Sequence, residues 1–380
     1  MQLVLGAGET SGDQLGASLG RSLRDLDPAI GLAGVTGPAM NAAGVEALAG
    51  IDRLDVMGLF EVLGHLPRLV RFRRDLRRTI LDRAPNAFVG IDAPDFNLGL
   101  ARQLKRAGVP TAQFVCPSVW AWRGYRIPKI ARSLDLLLTL FPFEPDCFVG
   151  TGLDCRFVGH PLADALPQDP DRDAAREALA LPPDRPVVAL LPGSRGGEIQ
   201  RHAALLAETA ARIRADHPDV EPVVLLARED QRETFHDAVA PQAIEDLRIV
   251  ADRTRTGLTA ADVALAASGT VTLEALLTRT PMVIYYRLPA ATYATARALR
   301  LVRSAHVGLP NILAGRALVP ERIQAEATPE RLAGDVADWL DDAARRESFV
   351  ATADELHDRL AQGAANRAAE ALLEKFGGRR

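Results

Sequence analysis

A chain of 380 residues with 48% hydrophobic and 25% charged residues has the composition of a soluble globular protein and room for two α/β domains. Its net charge of -4 argues against general nucleic-acid binding, and three cysteines without a C-x-x-C spacing exclude a disulfide framework and a thiolate metal centre. The seven histidines lack zinc-site spacing, so no metal or cofactor site is expected, and no apolar run reaches the ~20 residues that span a bilayer. "MQLVLGAGETSGD" has neither a basic n-region nor a long h-region, so the expectation is a cytoplasmic protein, soluble or peripherally bound.

Short Leu- or β-branched-rich runs alternate with segments of helical period, the pattern of parallel sheets covered by helices. The first half predicts strands at 2–8, 31–37, 87–92, 111–117, 135–142 and 155–161. A Pro- and Asp-rich stretch at 161–186 reads as a linker holding one short helix. Strands then resume at 187–194, 221–227, 247–252, 262–268 and 281–287, and from 327 onward the chain reads as helical. The fold class is α/β, with two Rossmann-like doubly wound domains at 1–165 and 166–345 meeting at a cleft. A helical segment at 346–380 is expected to pack back toward the first domain.

In doubly wound sheets, ligands bind where strands end and helices begin. The first such junction is "GAGETSGDQLG" at 6–16, whose G-x-G-x-x-x-G spacing is not the dinucleotide fingerprint. Its Glu9 and Ser11 either serve a plain strand–helix turn or face a ligand. The second, "GIDAPDFN" at 90–97, ends an apolar strand in Asp92 and Asp95. Either carboxylate caps the helix that Pro94 opens, or one is a general base held on rigid scaffold. The third, "CPSVWAWR" at 116–123, sets Trp120 and Trp122 beside an arginine, for packing or for a sugar ring or acyl chain.

The fourth is "ALLPGSRGGEIQRH" at 189–202, where Ser194 and Arg195 sit in a glycine-rich turn before a helix. Backbone N–H groups, a hydroxyl and a guanidinium fork suit an anion, though the Walker spacing is missing. A fifth element, "ASGTVTLEALL" at 267–277, places Ser268, Gly269 and Thr270 at a helix start and Glu274 one turn deeper. Hydroxyls and amides suit a diphosphate and a carboxylate suits ribose hydroxyls, so a nucleoside diphosphate is the ligand that both elements fit. Arg195 and helix termini would then neutralise the leaving phosphate.

The segment "MGLFEVLGHLPRLVRFRRDLRR" at 57–78 carries Leu63 and Leu66 among apolar residues at helical spacing, then a crowd of arginines including Arg71, Arg74 and Arg78. It reads either as a helix packed on the first sheet or as an interfacial helix on an anionic bilayer.

The blocks "GETSGD", "VMGLFEVLGHLPRL", "VGIDAPDFN", "PSVWAWR", "FPFE", "FVGHP", "LLPGSRGGE", "ASGTVTLEALL" and "LPNILAGR" run in order almost end to end. Together they resemble the lipid-A-disaccharide synthase family of GT-B glycosyltransferases. The resemblance implies transfer of 2,3-diacylglucosamine from UDP-2,3-diacylglucosamine to 2,3-diacylglucosamine 1-phosphate (lipid X), with inversion and release of UDP. It implies a Gram-negative cytoplasm and a peripheral hold on the inner membrane, whose anionic surface would be a partner. The sequence leaves the oligomeric state open, a homodimer included. By position Asp92 becomes the base, with Asp95 in reserve and Glu9 third. Arg195 becomes the phosphate partner, Asn311 of "LPN" a further polar contact, and Glu274 the ribose ligand. The rival readings are another GT-B transferase on a lipid-linked acceptor, a UDP-sugar 2-epimerase, and a non-catalytic UDP-sugar sensor.

Overall fold

A computed structural model describes residues 1–55, 62–121, 124–241, 247–289 and 305–378, without the side chains of 55 and 62–67. The chain divides into two compact units, Met1–Asp164 with Leu360–Arg380, and Ala165–Arg359.

Unit 1 is a seven-stranded parallel sheet. Its strands are β1 (Gln2–Ala7), β2 (Gly31–Thr36), β3 (Glu46–Gly50), β4 (Ala87–Ile91), β5 (Thr111–Phe114), β6 (Leu136–Thr139) and β7 (Asp154–Phe157), in the order β3-β2-β1-β4-β5-β6-β7. The helices are α1 (Thr10–Leu26), α2 (Pro38–Ala42), α3 (Asp52–Asp55), α4 (Val62–Arg83), α5 (Pro94–Arg106), α6 (Ile127–Ala131) and α7 (Pro161–Ala165). Central strands such as Ala87–Ile91 are buried along their whole length, as sheets covered on both faces require. The sequence order reverses between β1 and β4, which pair in parallel register from Leu3↔Ala87 to Ala7↔Ile91. That reversal is where open α/β sheets bind ligands.

Unit 2 holds α8 (Arg172–Ala178), β8 (Val187–Leu191), α9 (Gly196–Asp216), β9 (Glu221–Leu226), α10 (Arg232–Asp237), β10 (Arg248–Ala251) and α11 (Thr254–Ala260). They are followed by β11 (Val263–Ala267), α12 (Val271–Leu277), β12 (Met282–Tyr286), α13 (Leu309–Ala314), β13 (Glu321–Ile323), α14 (Pro329–Asp341) and α15 (Ala343–Leu360). Its six strands lie parallel in the order β10-β9-β8-β11-β12-β13, with the reversal between β8 and β11.

The last helix, α16 (Ala364–Phe376), belongs to unit 1, where Ala368, Leu372 and Phe376 join the core. Asp164 fixes its start by accepting from the amides of Gly363 at 2.8 Å and Ala364 at 2.7 Å. The helix α15 stays in unit 2, tied by the Arg279–Asp354 ion pair at 2.9 Å. Three local expectations are corrected. The edge strands β3 and β13, which no run of strand-forming residues predicts, are present: "EALAG" has no β-branched or aromatic residue, and β13 is three residues long. The stretch at 161–186 holds two short helices, α7 and α8, the second capped by Asp171. The strand expected at 111–117 stops at Phe114, because Val115 turns into the left-handed region at φ 79.

Candidate functional site

In unit 1, Asp92 stands directly beyond the carboxyl end of β4, at the sheet's reversal point. Its backbone and that of Ala93 are left-handed, at φ 50 and 39, which costs a non-glycine residue free energy that its surroundings must offset. They do so at the Asp92 carbonyl, which accepts from the Asn97 amide at 3.0 Å and the Gln113 amide at 2.9 Å. Asn97 also donates to the carbonyl of Gly6 at 2.9 Å, binding β1 to the same corner. A Cβ on Gly8 would meet that of Ala93 at 2.3 Å, so only glycine lets the loop after β1 approach the loop after β4 this closely.

That approach brings Glu9, Ser11 and Asp92 together. The Ser11 hydroxyl lies 2.9 Å from Oε1 of Glu9 and 3.4 Å from Oδ2 of Asp92. Burial, then the neighbouring Glu9 carboxylate, raises the Asp92 pKa above the usual carboxylate range. A half-buried carboxylate with a raised pKa at a strand end has the properties of a general base. Asp95 is placed differently. It is exposed on the first turn of α5 and ion-paired to Arg126 at 2.7 Å.

Trp120 lies edge-on to Phe143 at 5.3 Å and to Phe141 at 6.5 Å, and those two phenylalanines stack at 5.5 Å. Glu144, next in sequence to Phe143, is buried and accepts from the amides of Leu140 at 2.9 Å and Phe141 at 3.0 Å. Burial pushes its pKa up to about 7. Trp120 therefore packs in an aromatic cluster; Trp122 lies outside the described residues.

In unit 2, all six residues singled out for a nucleotide line one cavity of about 460 Å³: Ser194, Arg195, Ser268, Gly269, Thr270 and Glu274. The cavity sits on the carboxyl ends of β8 and β11, the reversal point of that sheet. Burial pushes the Glu274 carboxyl up, with Arg255 opposing. Arg195 is exposed and has no ion pair among the described residues.

Three further wall residues, Glu198, Thr254 and Tyr286, were not singled out in the sequence. The carboxylate of Glu198 accepts the Ser194 amide at 3.1 Å, the Arg195 amide at 3.3 Å and the Tyr286 hydroxyl at 2.8 Å. The loop amides expected to meet a phosphate thus meet Glu198, three residues into α9 from the cap, where helix starts commonly place a Glu. Gly193, at φ 115, is required there because a Cβ would lie 2.6 Å from Glu198 Oε2. His202 fastens the same loop through the carbonyl of Pro192, 2.8 Å from its Nδ1, and burial lowers its pKa.

Asn311 is buried, and its side chain is engaged locally. Its amide donates to the carbonyl of Val319 and to Glu321, both at 2.9 Å, and its oxygen accepts the amides of Leu318 and Val319, both at 2.8 Å. The structure thus gives this residue a loop-holding role.

On α4, Arg71, Arg74 and Arg78 are exposed, whereas Leu76 and Ile80 are buried in the unit 1 core and Phe72 stacks on Phe96 at 5.7 Å. The side chains of Leu63 and Leu66 lie outside the described residues. No helix among the described residues is long and apolar enough to cross a membrane.

A family model described as lipid-A-disaccharide synthetase matches residues 3–376. The chain belongs to that family. A lipid-A-disaccharide synthase of Alkalilimnicola ehrlichii is 48% identical over 381 residues, covering 100% of this chain and 99% of the relative. Membership makes the chain a glycosyltransferase of lipid A biosynthesis. Solved structures agree on the fold. A UDP-GlcNAc 2-epimerase of Neisseria meningitidis bound to UDP-GlcNAc superposes at TM-score 0.63 with 10% identity, covering 99% of this chain and 100% of that one. A glycosyltransferase of Rickettsia africae superposes at TM-score 0.62 with 10% identity, covering 100% and 99%. The two Rossmann-like units with a helical C-terminus are the GT-B class expected for lipid-A-disaccharide synthases. The epimerase likeness, at 10% identity, concerns the fold alone.

Proposed function

We propose that this synthase transfers 2,3-diacylglucosamine from its UDP donor to the 6-hydroxyl of lipid X, giving the β-1,6-linked disaccharide phosphate and UDP. One observation carries the donor half: six residues chosen as a nucleotide site from two separate stretches of sequence line a single cavity in unit 2. In this reading Arg195 meets the diphosphate, Ser194, Ser268, Gly269 and Thr270 surround it, and Glu274 holds the ribose. Unit 1 is the acceptor side.

Asp92 takes the proton from the acceptor hydroxyl, and the oxygen attacks C1 of the donor sugar as the bond to UDP breaks. A single displacement of this kind inverts the anomeric centre. The raised pKa of Asp92 supports the role, because a base works best when its pKa approaches the operating pH. Asp95 is the poorer base, since Arg126 pairs its carboxylate. Leaving-group charge falls to Arg195 and the amino end of the 21-residue α9.

The membrane reading goes with the acyl chains of both substrates. We place the enzyme on the cytoplasmic face of the inner membrane through α4, whose Arg71, Arg74 and Arg78 form one exposed face. Incubation of UDP-2,3-diacylglucosamine with lipid X tests the reaction: UDP and a disaccharide should appear together. Release of UDP without a disaccharide, or turnover of non-acylated UDP-sugars alone, would replace this reading by another GT-B activity.

A further inference from the structure

The glycine-rich turn after β8 is held at more points than a helix start requires. Three of its carbonyls face buried side chains. The Tyr285 hydroxyl donates to that of Leu191 at 3.0 Å, and Nδ1 of His202 lies 2.8 Å from that of Pro192. The Gln231 side-chain amide donates to that of Ser194 at 2.6 Å.

Gln231 makes the contact that helix capping does not explain. The Arg195 carbonyl takes the first bonds of α9, from the amides of Glu198 at 2.8 Å and Ile199 at 3.0 Å, so the Ser194 carbonyl lies outside the helix ladder. Gln231 reaches it from the loop after β9, 37 residues further along the chain. The reach is short because β8 and β9 pair in parallel, from Val187↔Glu221 to Leu190↔Val224, and end at the same edge of the sheet. The orientation of the Gln231 amide is settled by its other atom. Its Oε1 accepts the Arg228 amide at 3.2 Å, which leaves Nε2 for Ser194.

The peptide that joins Ser194 to Arg195 is therefore clamped at both ends. Gln231 holds its carbonyl, and Oε2 of Glu198 accepts its N–H at 3.3 Å. The second carboxylate oxygen of Glu198 is fixed in turn by the Tyr286 hydroxyl at 2.8 Å. A peptide is planar, so this one turns over only by breaking both bonds. The directions in which the Ser194 and Arg195 side chains leave the backbone are set with it. Both residues line the nucleotide cavity, and Gln231 is not among the residues that do. Because Glu198 already takes the amides of Ser194 and Arg195, an anion in the cavity depends on the hydroxyl and the guanidinium of those two residues.

We propose that Gln231, with Glu198 and Tyr286, is a positioning residue of the donor site. It sets the Ser194–Arg195 peptide so that the hydroxyl and the guanidinium meet the donor's diphosphate, and it acts through those two residues without touching the donor. The inference rests on the reading of this cavity as the UDP site.

Isothermal titration of UDP into the full chain tests it, with Gln231→Met made alone and in the Arg195→Ala background. Methionine keeps the length of the side chain and removes the donor. Gln231→Met should raise the Kd for UDP about three- to tenfold, the range for one hydrogen bond. In the Arg195→Ala background the same replacement should cost less than about twofold, because the charged group it aims is gone. An unchanged Kd in Gln231→Met would overturn the proposal. Equal losses with and without Arg195 would overturn it as well, since a merely structural role weakens both backgrounds alike. Should Gln231→Met fail to fold, Tyr286→Phe loosens the other end of the clamp and enters the same pair of titrations, with the same expected and overturning results. A wild-type chain that binds no UDP would sink the donor reading and this proposal together. UDP binding by the wild type that survives both replacements unweakened would sink the proposal alone.

Discussion

Gln113 donates its buried side-chain amide to the main-chain carbonyl of Asp92 at 2.9 Å. The bond reaches from the middle of β5 to the end of β4 and holds a left-handed aspartate in place, so the carboxylate above it is aimed by a residue with no chemistry of its own. Asp92→Asn should lower kcat by about 10²–10⁴-fold, the usual loss on removing a general base, with UDP affinity kept. Gln113→Leu should lower kcat several-fold, in keeping with one hydrogen bond of about 1 kcal/mol, and leave the pH profile in place. A fully active Gln113→Leu enzyme would deny Gln113 the positioning role.

Glu9 raises the Asp92 pKa by its charge, second only to burial. Glu9→Gln removes that charge, so the Asp92 pKa should fall. The acidic limb of kcat/KM should then move to lower pH. A limb that stays in place or moves upward would mean that another group titrates.

Arg195→Ala should weaken both UDP binding and turnover, and Arg195→Lys should restore only part of each, because an ammonium lacks the two-pronged guanidinium. Glu274→Ala should mainly raise the donor KM. Isothermal titration with UDP separates the two effects, and unchanged UDP affinity in Glu274→Ala would place the ribose elsewhere.

Glu144 should make stability depend on pH. Its pKa is raised from 4.5 to about 7 by burial, so the stability it contributes is intact below about 4.5 and is lost as pH rises through about 7. Glu144→Gln keeps an acceptor oxygen for Leu140 and Phe141 but cannot ionise. Denaturant titrations should show the variant gaining on the wild type between those pH values, by up to roughly 3 kcal/mol. A difference that does not change with pH would show that Glu144 ionises no differently in the folded chain.

Replacing Arg71, Arg74 and Arg78 by Glu reverses the exposed face of α4 without touching Leu76 or Ile80 in the core. Each cation near an anionic surface contributes about 1 kcal/mol, so the variant should leave anionic liposomes at moderate salt. Sedimentation with the liposomes as complete as that of the wild type would take α4 out of the membrane contact.

The alternation of strand, turn and helix was legible in the sequence because each signal is local: a run of apolar residues, a glycine or proline, a periodic face. For that reason the residues at strand ends could be named, and Ser194, Arg195, Ser268, Gly269, Thr270 and Glu274 meet in one cavity. The edge strands β3 and β13 were not legible, since an edge strand is made by its neighbour's hydrogen bonds rather than by its own side chains.

The partners of the site residues were not legible either. Nothing in "TAQF" marks Gln113 as the support of an aspartate 21 residues earlier. Nothing in the glycine-rich turn announces that Glu198 takes its amides, or that the asparagine of "LPN" is engaged by its own loop. Hydrogen bonds between loops depend on which strands lie side by side, and strand order is a property of the packed sheet. Local patterning along the chain is enough to locate the residues at strand ends, whereas which carboxylate has charged company, which is paired, and which cations face solvent along α5 follow from packing.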